Sequence, residues 1–249
     1  MRKLTRNYLK LLNEIINIKN PFDTEIIGNI HYDRCYPFLM LSNHTKQAKY
    51  NCVINSGAHG EEAQTIDILI RFLQEFNTEY LSSYNFHIFP IINPFGYSYN
   101  CRKNGNNKYG NTGFIQKIPA RLTEEAILIG NNIPRKIDIF IDIHSDNKNG
   151  FYLYERKRPN KPSLGGVCLD ELRKNKIPIL ENETVYKEKC KDGIIIAPER
   201  DGSMDDSMFS RGVIYSICVE IPRKIPDDQQ LIGGLMLINS LLKNFRETK

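Results

Sequence analysis

The segment Asn55-Ser56-Gly57-Ala58-His59-Gly60-Glu61-Glu62 holds the residue types from which a metal site is built. A histidine and a glutamate three positions apart both reach one ion where the chain turns from a strand into a helix. Two histidines and one carboxylate with an open coordination position form the ligand set of a hydrolytic zinc centre. A lone His-x-x-Glu is more often a surface turn that opens a helix. The case strengthens downstream, where the apolar run Ile137 to Ile143 ends at His144, a third ligand at the end of a strand. Asp142, two residues earlier, points to the same side of that strand and can accept a hydrogen bond from a ligating imidazole, or else pair with a nearby Arg or Lys. Glu220 ends a further apolar run, Tyr215-Ser216-Ile217-Cys218-Val219-Glu220. A glutamate there is costly to bury unpaired. Beside a metal it reads as a general base that takes a proton from water and delivers it to a leaving nitrogen. Arg102 opens a polar run and can steady an oxyanion above such a site. His31, His44 and His87 read as structural or surface residues.

These residues need elements to bring them together. Tyr8, Leu9, Leu11, Leu12, Ile15 and Ile16 make an amphipathic helix, followed by a turn-rich stretch around Asn20 to Asp23. Strands are expected at Tyr36 to Leu41, Asn51 to Asn55, Tyr84 to Ile92, Ile137 to Ile143 and Val213 to Ile221. Helical spacing runs over Glu62 to Phe76, Leu122 to Ile133, Gly165 to Lys174 and Gln229 to Phe245. Between Gly96 and Pro119 the chain is rich in Asn, Gly and Tyr without a period, which reads as a long functional loop. Alternating strands and helices imply a three-layer α/β/α sandwich on a mixed, largely parallel central sheet. Ligands in such folds bind at the carboxyl ends of strands. His59, Asn93, His144 and Glu220 all fall there, and that shared placement argues more strongly than any one motif.

Composition narrows the alternatives. The 249 residues suit one large domain, and a hydrophobic fraction of 41% supports a sizeable core. A net charge of +5 is mild, and Arg156-Lys157-Arg158 reads as a solvated loop rather than a nucleic-acid patch. No apolar run is long enough to span a bilayer, and the N-terminus lacks a signal-peptide core. A cytoplasmic protein is therefore expected. The six cysteines lie far apart without a CxxC pair, so disulfides are not expected.

With the pieces in order, the chain resembles the zinc carboxypeptidases, the funnelin or M14-type metallopeptidases, from about Asn51 to Ile221. Asn55 to Glu62 resembles the family's first zinc motif, and Asp142-Ile143-His144-Ser145 the motif of its third ligand. Ile92-Asn93-Pro94-Phe95-Gly96 is similar to an Asn-Pro-Asp-Gly turn with Phe95 for the Asp. Gly212 to Glu220 is similar to the segment of the catalytic glutamate. The resemblance implies one Zn2+ per chain on His59, Glu62 and His144, with Glu220 as base and Arg102 as oxyanion partner. It also implies substrate contacts from Asn111 and Arg102. Asn111-Thr112-Gly113-Phe114 stands where many members carry Asn-Arg-Asn-Phe, so threonine replaces the arginine that anchors a terminal carboxylate. Arg121, Arg200 or Arg211 are the candidates to supply that charge from elsewhere. The tyrosine of digestive members has no counterpart near Ala197 to Arg200.

The reading is a single zinc-peptidase-like catalytic domain over 1–249, with 1–30 as an N-terminal helical extension. It is expected to hydrolyse an amide in a small peptide, as a carboxypeptidase or murein-peptide amidase. Alternatives are an N-acyl amino acid deacylase of the succinylglutamate desuccinylase/aspartoacylase type, or a non-catalytic binding protein on the same fold. The expected partner is a small peptide or N-acyl amino acid, with neither nucleic acid nor membrane.

Overall fold

The computed structural model describes residues 4–114, 122–197 and 202–248. Its strands are β1 (Asp23–His31), β2 (Cys35–Ser42), β3 (Tyr50–Ser56), β4 (Tyr84–Phe89), β5 (Ile139–Asp146), β6 (Tyr152–Lys157), β7 (Glu183–Val185), β8 (Glu188–Cys190), β9 (Ile194–Ile196) and β10 (Tyr215–Pro222). Its helices are α1 (Tyr8–Ile16), α2 (Ala63–Gln74), α3 (Pro94–Tyr99), α4 (Glu124–Asn132), α5 (Leu164–Lys174), α6 (Met204–Ser210) and α7 (Asp227–Glu247).

Eight strands form one sheet in the order β1-β2-β4-β3-β5-β10-β6-β9. The pairs within β4-β3-β5-β10 are parallel, as is β6-β9, while β1-β2, β2-β4 and β10-β6 are antiparallel. The sheet is thus mixed and mostly parallel, as the alternation of elements predicts. Its central strand β5 is buried at every position, which its run of Ile and Phe permits because helices cover both faces. Alternate residues of β10 show this. Tyr215 stacks edge-on against Phe245 of α7, while Ser216 donates to the backbone carbonyl of Asp205 on α6 at 2.7 Å. Helices α2 and α5 pack with α7, and α6 crosses β5, β6 and β10.

Three readings are corrected. The stretch expected as a helical extension is helical only over Tyr8–Ile16; Asp23–His31 is an edge strand. Most of β1 is exposed, so its sequence carries no alternation to betray it. The long aperiodic loop expected from Gly96 opens inside α3, which has Pro94 in its first turn and Asn93 as its cap and runs to Tyr99. Finally, Arg156-Lys157 is not a solvated loop. It ends β6, where Arg156 is 4% exposed and its Nε donates to Asp205 Oδ2 at 2.9 Å. The partner lies some fifty residues on, out of reach of any local pattern.

Candidate functional site

Strand β3 delivers the first two candidate ligands. It ends at Ser56, and Gly57 then turns the chain with φ +66°, a conformation that glycine adopts without strain. At Gly60 the backbone runs so close to α3 that a Cβ would stand 1.8 Å from the carbonyl carbon of Gly96. Asn93 binds the crossing together: its Nδ2 donates to the carbonyls of Ala58 (3.5 Å) and Arg102 (3.2 Å), and its Oδ1 accepts from Gly96 N–H (2.7 Å). Arg6 adds a brace, donating from Nη1 to Gly60 O at 2.8 Å.

Glu62 stands at the cap of α2 but makes no side-chain cap bond. Its carboxylate turns inward instead. Oε1 lies 2.8 Å from His59 Nδ1, and Oε2 lies 3.3 Å from His144 Nδ1 and accepts from Ser145 N–H at 3.0 Å. The two Nδ1 atoms are 3.2 Å apart. All three residues are at least 95% buried, and their donor atoms lie within 4.8 Å of one another. Protons satisfy such a knot of nitrogens and oxygens poorly; one cation between them answers every lone pair. Two imidazoles and a carboxylate suit Zn2+. The residues present therefore fit the metal that the sequence implies.

The electrostatics favour a cation as well. Burial would raise the Glu62 carboxyl, but hydrogen bonds from His144 and His59 outweigh it and hold the group well below the ordinary carboxylate range. Burial disfavours a charged His144, yet Asp142 and Glu62 overcome it and push the imidazole's pKa well above normal. Asp142 Oδ2 lies 3.2 Å from His144 Nε2, so the carboxylate two residues back reaches the ring of the candidate ligand, as its strand position predicts.

Strand register places the remaining groups. Glu220 on β10 is the direct neighbour of His144 on β5 and of Tyr152 on β6. Burial, joined by Glu62 and Asp146 against the pull of His144 and Arg102, pushes its carboxyl up to about 8. Arg102 Nη1 contacts Glu61 Oε1 and Glu62 Oε1, each at 3.2 Å. His59, His144, Glu220, Arg102, Asn111 and Asp142 all line one cleft of about 250 Å³. The resemblance-derived residues therefore converge with the residue-derived ones.

The remaining residues named from the sequence lie away from this cleft or outside the described residues. Thr112 Oγ1 contacts Tyr109 O at 3.4 Å, and Thr112 does not line the cleft. Arg211, exposed at the end of α6, does not line it either, so it supplies no missing charge there. Arg121 and Arg200 lie outside the described residues. His31, His44 and His87 stand apart from the cleft lining.

Sequence reasoning missed the far wall: Tyr154, Tyr186, Glu188, Ser203 and Asp205. Tyr186 sits in the β7–β8 hairpin with φ 48°, and its hydroxyl donates to Asp146 Oδ1 at 2.9 Å, beside Tyr152 Oη on Oδ2. In sequence this hairpin is a run of Glu and Lys that looks like any solvated turn.

The profile of the family described as zinc carboxypeptidase matches residues 16–114, which include His59, Glu62, Arg102 and Asn111. Over that stretch the chain is similar to the zinc carboxypeptidases. His144 and Glu220 lie beyond the matched stretch, so their assignment rests on the geometry above. Comparison with curated proteins gives no match. Among solved structures, a candidate metallopeptidase from Shewanella amazonensis superposes with a TM-score of 0.81 at 21% identity, covering 98% of this chain and 99% of that one. A metallo-carboxypeptidase from Pseudomonas aeruginosa, in complex with (2-guanidinoethylmercapto)succinic acid, gives 0.68 at 13%, covering 97% and 69%. Bovine thrombin-activatable fibrinolysis inhibitor, in complex with tick carboxypeptidase inhibitor, gives 0.69 at 15%, covering 97% and 96%. At such identities these likenesses speak for the fold. No helix among the described residues is long and apolar enough to cross a membrane.

Proposed function

We propose that the chain is a zinc-dependent hydrolase that cleaves an amide bond in a small peptide. The observation that carries this reading is the register of β5 and β10, which sets Glu220 beside His144 at the mouth of the His59–Glu62–His144 cluster. One zinc on those three side chains supplies Lewis acidity and lowers the pKa of water in the site. Glu220 takes a proton from the attacking water and passes it to the leaving nitrogen. Arg102 holds its guanidinium over the cleft through Glu61 and Glu62 and steadies the developing oxyanion. Asp142 fixes the ring of His144. Asn111 contributes a polar contact to the substrate from the turn Gly110–Thr112.

Thr112 favours a second reading. It bonds back to its own loop, and no arginine stands at its position to hold a terminal carboxylate, so an N-acyl amino acid is the competing substrate. The Pseudomonas neighbour's small ligand supports a cleft of this architecture taking small molecules. The test is zinc reconstitution of chelated protein, then assay of peptides with free and amidated C-termini alongside N-acyl amino acids. Turnover that needs zinc and vanishes in Glu220→Gln supports the hydrolase. Zinc binding without turnover of any of them leaves a non-catalytic binding protein as the reading.

A further inference from the structure

Arg102 and Asn111 both line the cleft, and the chain between them folds around one side chain. Lys103 and Tyr109 pair as an antiparallel bridge. Asn104 N–H donates to Lys108 O at 2.9 Å, and Asn107 turns the chain with φ 61°. Inside this loop lies the side chain of Asn104, which is almost wholly buried. Its Oδ1 accepts from the backbone N–H groups of Asn106 at 3.1 Å and Lys108 at 3.0 Å. The carboxamide can serve both amides in one orientation only, and its NH2 must then find an acceptor.

That acceptor is Glu125. Asn104 Nδ2 lies 3.2 Å from Glu125 Oε2 and 3.4 Å from Oε1, and the Tyr32 hydroxyl donates to Oε1 at 2.7 Å. Glu125 belongs to the first turn of α4, where the helix N-terminus favours a carboxylate, yet it is wholly buried. Burial pushes its carboxyl up, against the hydrogen bonds from Tyr32 and Asn104. A buried carboxylate answered by two neutral donors costs stability. What it secures is the loop. With Nδ2 fixed on Glu125, Oδ1 is aimed at the amides of Asn106 and Lys108. Lys108 is tied to the same helix end a second time, since its Nζ donates to Leu122 O at 2.8 Å. Arg102 has a hold of its own, because Asn93 Nδ2 donates to its carbonyl. The leg that ends in Asn111 is held at Lys108, whose N–H and C=O both meet Asn104.

We propose that Glu125 is a positioning residue for the cleft: through Asn104 it sets where Asn111 stands. This rests on the reading of Asn111 as a substrate contact, and the test separates the two. Glu125→Gln, Asn104→Asp and the two combined are compared in the full chain. Each single change leaves two amides or two carboxylates facing one another. Combined, the changes exchange amide and carboxylate. Position 104 still accepts from Asn106 and Lys108, and position 125 donates to it and still accepts from Tyr32. By NMR without substrate, the side-chain amide signals of Asn111 should move in each single variant. Hydrogen exchange at the Asn106 and Lys108 amides should speed by about tenfold, and both effects should revert in the combined variant. Asn104→Asp leaves α4 intact and gives the same readout if Glu125→Gln does not fold. Tyr32→Phe removes the other bond on Glu125 and should leave the Asn111 signals in place. Unmoved Asn111 signals in the single variants, signals that stay displaced in the combined variant, or an equal displacement in Tyr32→Phe overturns the proposal. On zinc-loaded protein, KM should rise about tenfold in the single variants and recover in the combined one, with kcat and zinc content unchanged. Displacement with unchanged KM keeps the positioning and removes Asn111 from substrate binding; displacement with no turnover by wild type keeps it and removes the hydrolase. A raised KM without displacement overturns the positioning alone.

Discussion

The two walls of the cleft are built on different principles. The metal wall hangs on strand ends: His59, Glu62 and His144 are buried and mutually in contact, Ser145 N–H donates to Glu62, and Asn93 holds the neighbouring carbonyl of Ala58. The opposite wall hangs on the β7–β8 hairpin, where Tyr186 and Lys187 both have positive φ and Tyr186 is 75% exposed. The first is held by several mutual contacts among buried side chains. The second is held at Tyr186 by a hydroxyl on Asp146. Chemistry that demands fixed distances sits on the rigid wall, and recognition that tolerates adjustment sits on the hairpin.

The contrast can be broken most forcefully on the rigid wall. Glu220→Gln should retain one zinc per chain by elemental analysis while turnover falls about 10²–10⁴-fold, the usual range for a positioned base; unchanged turnover would remove Glu220 from its role. Asp142→Asn should weaken zinc about 10–100-fold in a chelator competition, because the ring of His144 loses its orienting partner. A smaller effect is a pH dependence of the metal-free protein. Glu220 holds its proton up to about 8, against 4.5 as the ordinary value. Between those values the folded chain binds more proton than the unfolded chain, so stability drops as pH rises through the window and the loss is complete above it. Metal-free Glu220→Gln should therefore match wild type near pH 4.5 and exceed it at pH 8 by on the order of 4 kcal/mol in urea unfolding. An advantage greatest at low pH would contradict the assignment. On the hairpin the expected effect is least: Tyr186→Phe removes one partly exposed hydrogen bond worth about 1 kcal/mol. It should raise KM a few-fold with kcat and zinc content unchanged; a loss of zinc would show that the two walls are not separate.

The same division explains what the sequence disclosed. His144 and Glu220 are legible because each lies at the end of an apolar run on β5 or β10, and His59 and Glu62 because their spacing falls in the turn between β3 and α2. Asp142 followed from a period of two. Asn111 needed the family resemblance, since nothing in an Asn-rich loop marks one asparagine. Arg156 was misread because Tyr152–Lys157 is charged at its end, and its burial depends on Asp205, which belongs to α6. Glu155 is similar: it is 1% exposed because it accepts from the N–H groups of Leu164 and Gly165 at the start of α5. Tyr186 was invisible because left-handed backbone at a tyrosine has no signature in composition. Strand-end chemistry is written locally; loop chemistry is written in partners far along the chain.

The clearance between Gly60 and Gly96 ties two distant turns into one keystone. Neither glycine is itself a candidate ligand, yet a single methyl at Gly60 would meet the other backbone at 1.8 Å and wedge the turn of Glu62 away from His144. Affinity for a metal at the candidate site would thus gauge how closely two loops can lie. An assay of the metal would register an injury to the backbone before any spectroscopic sign of unfolding.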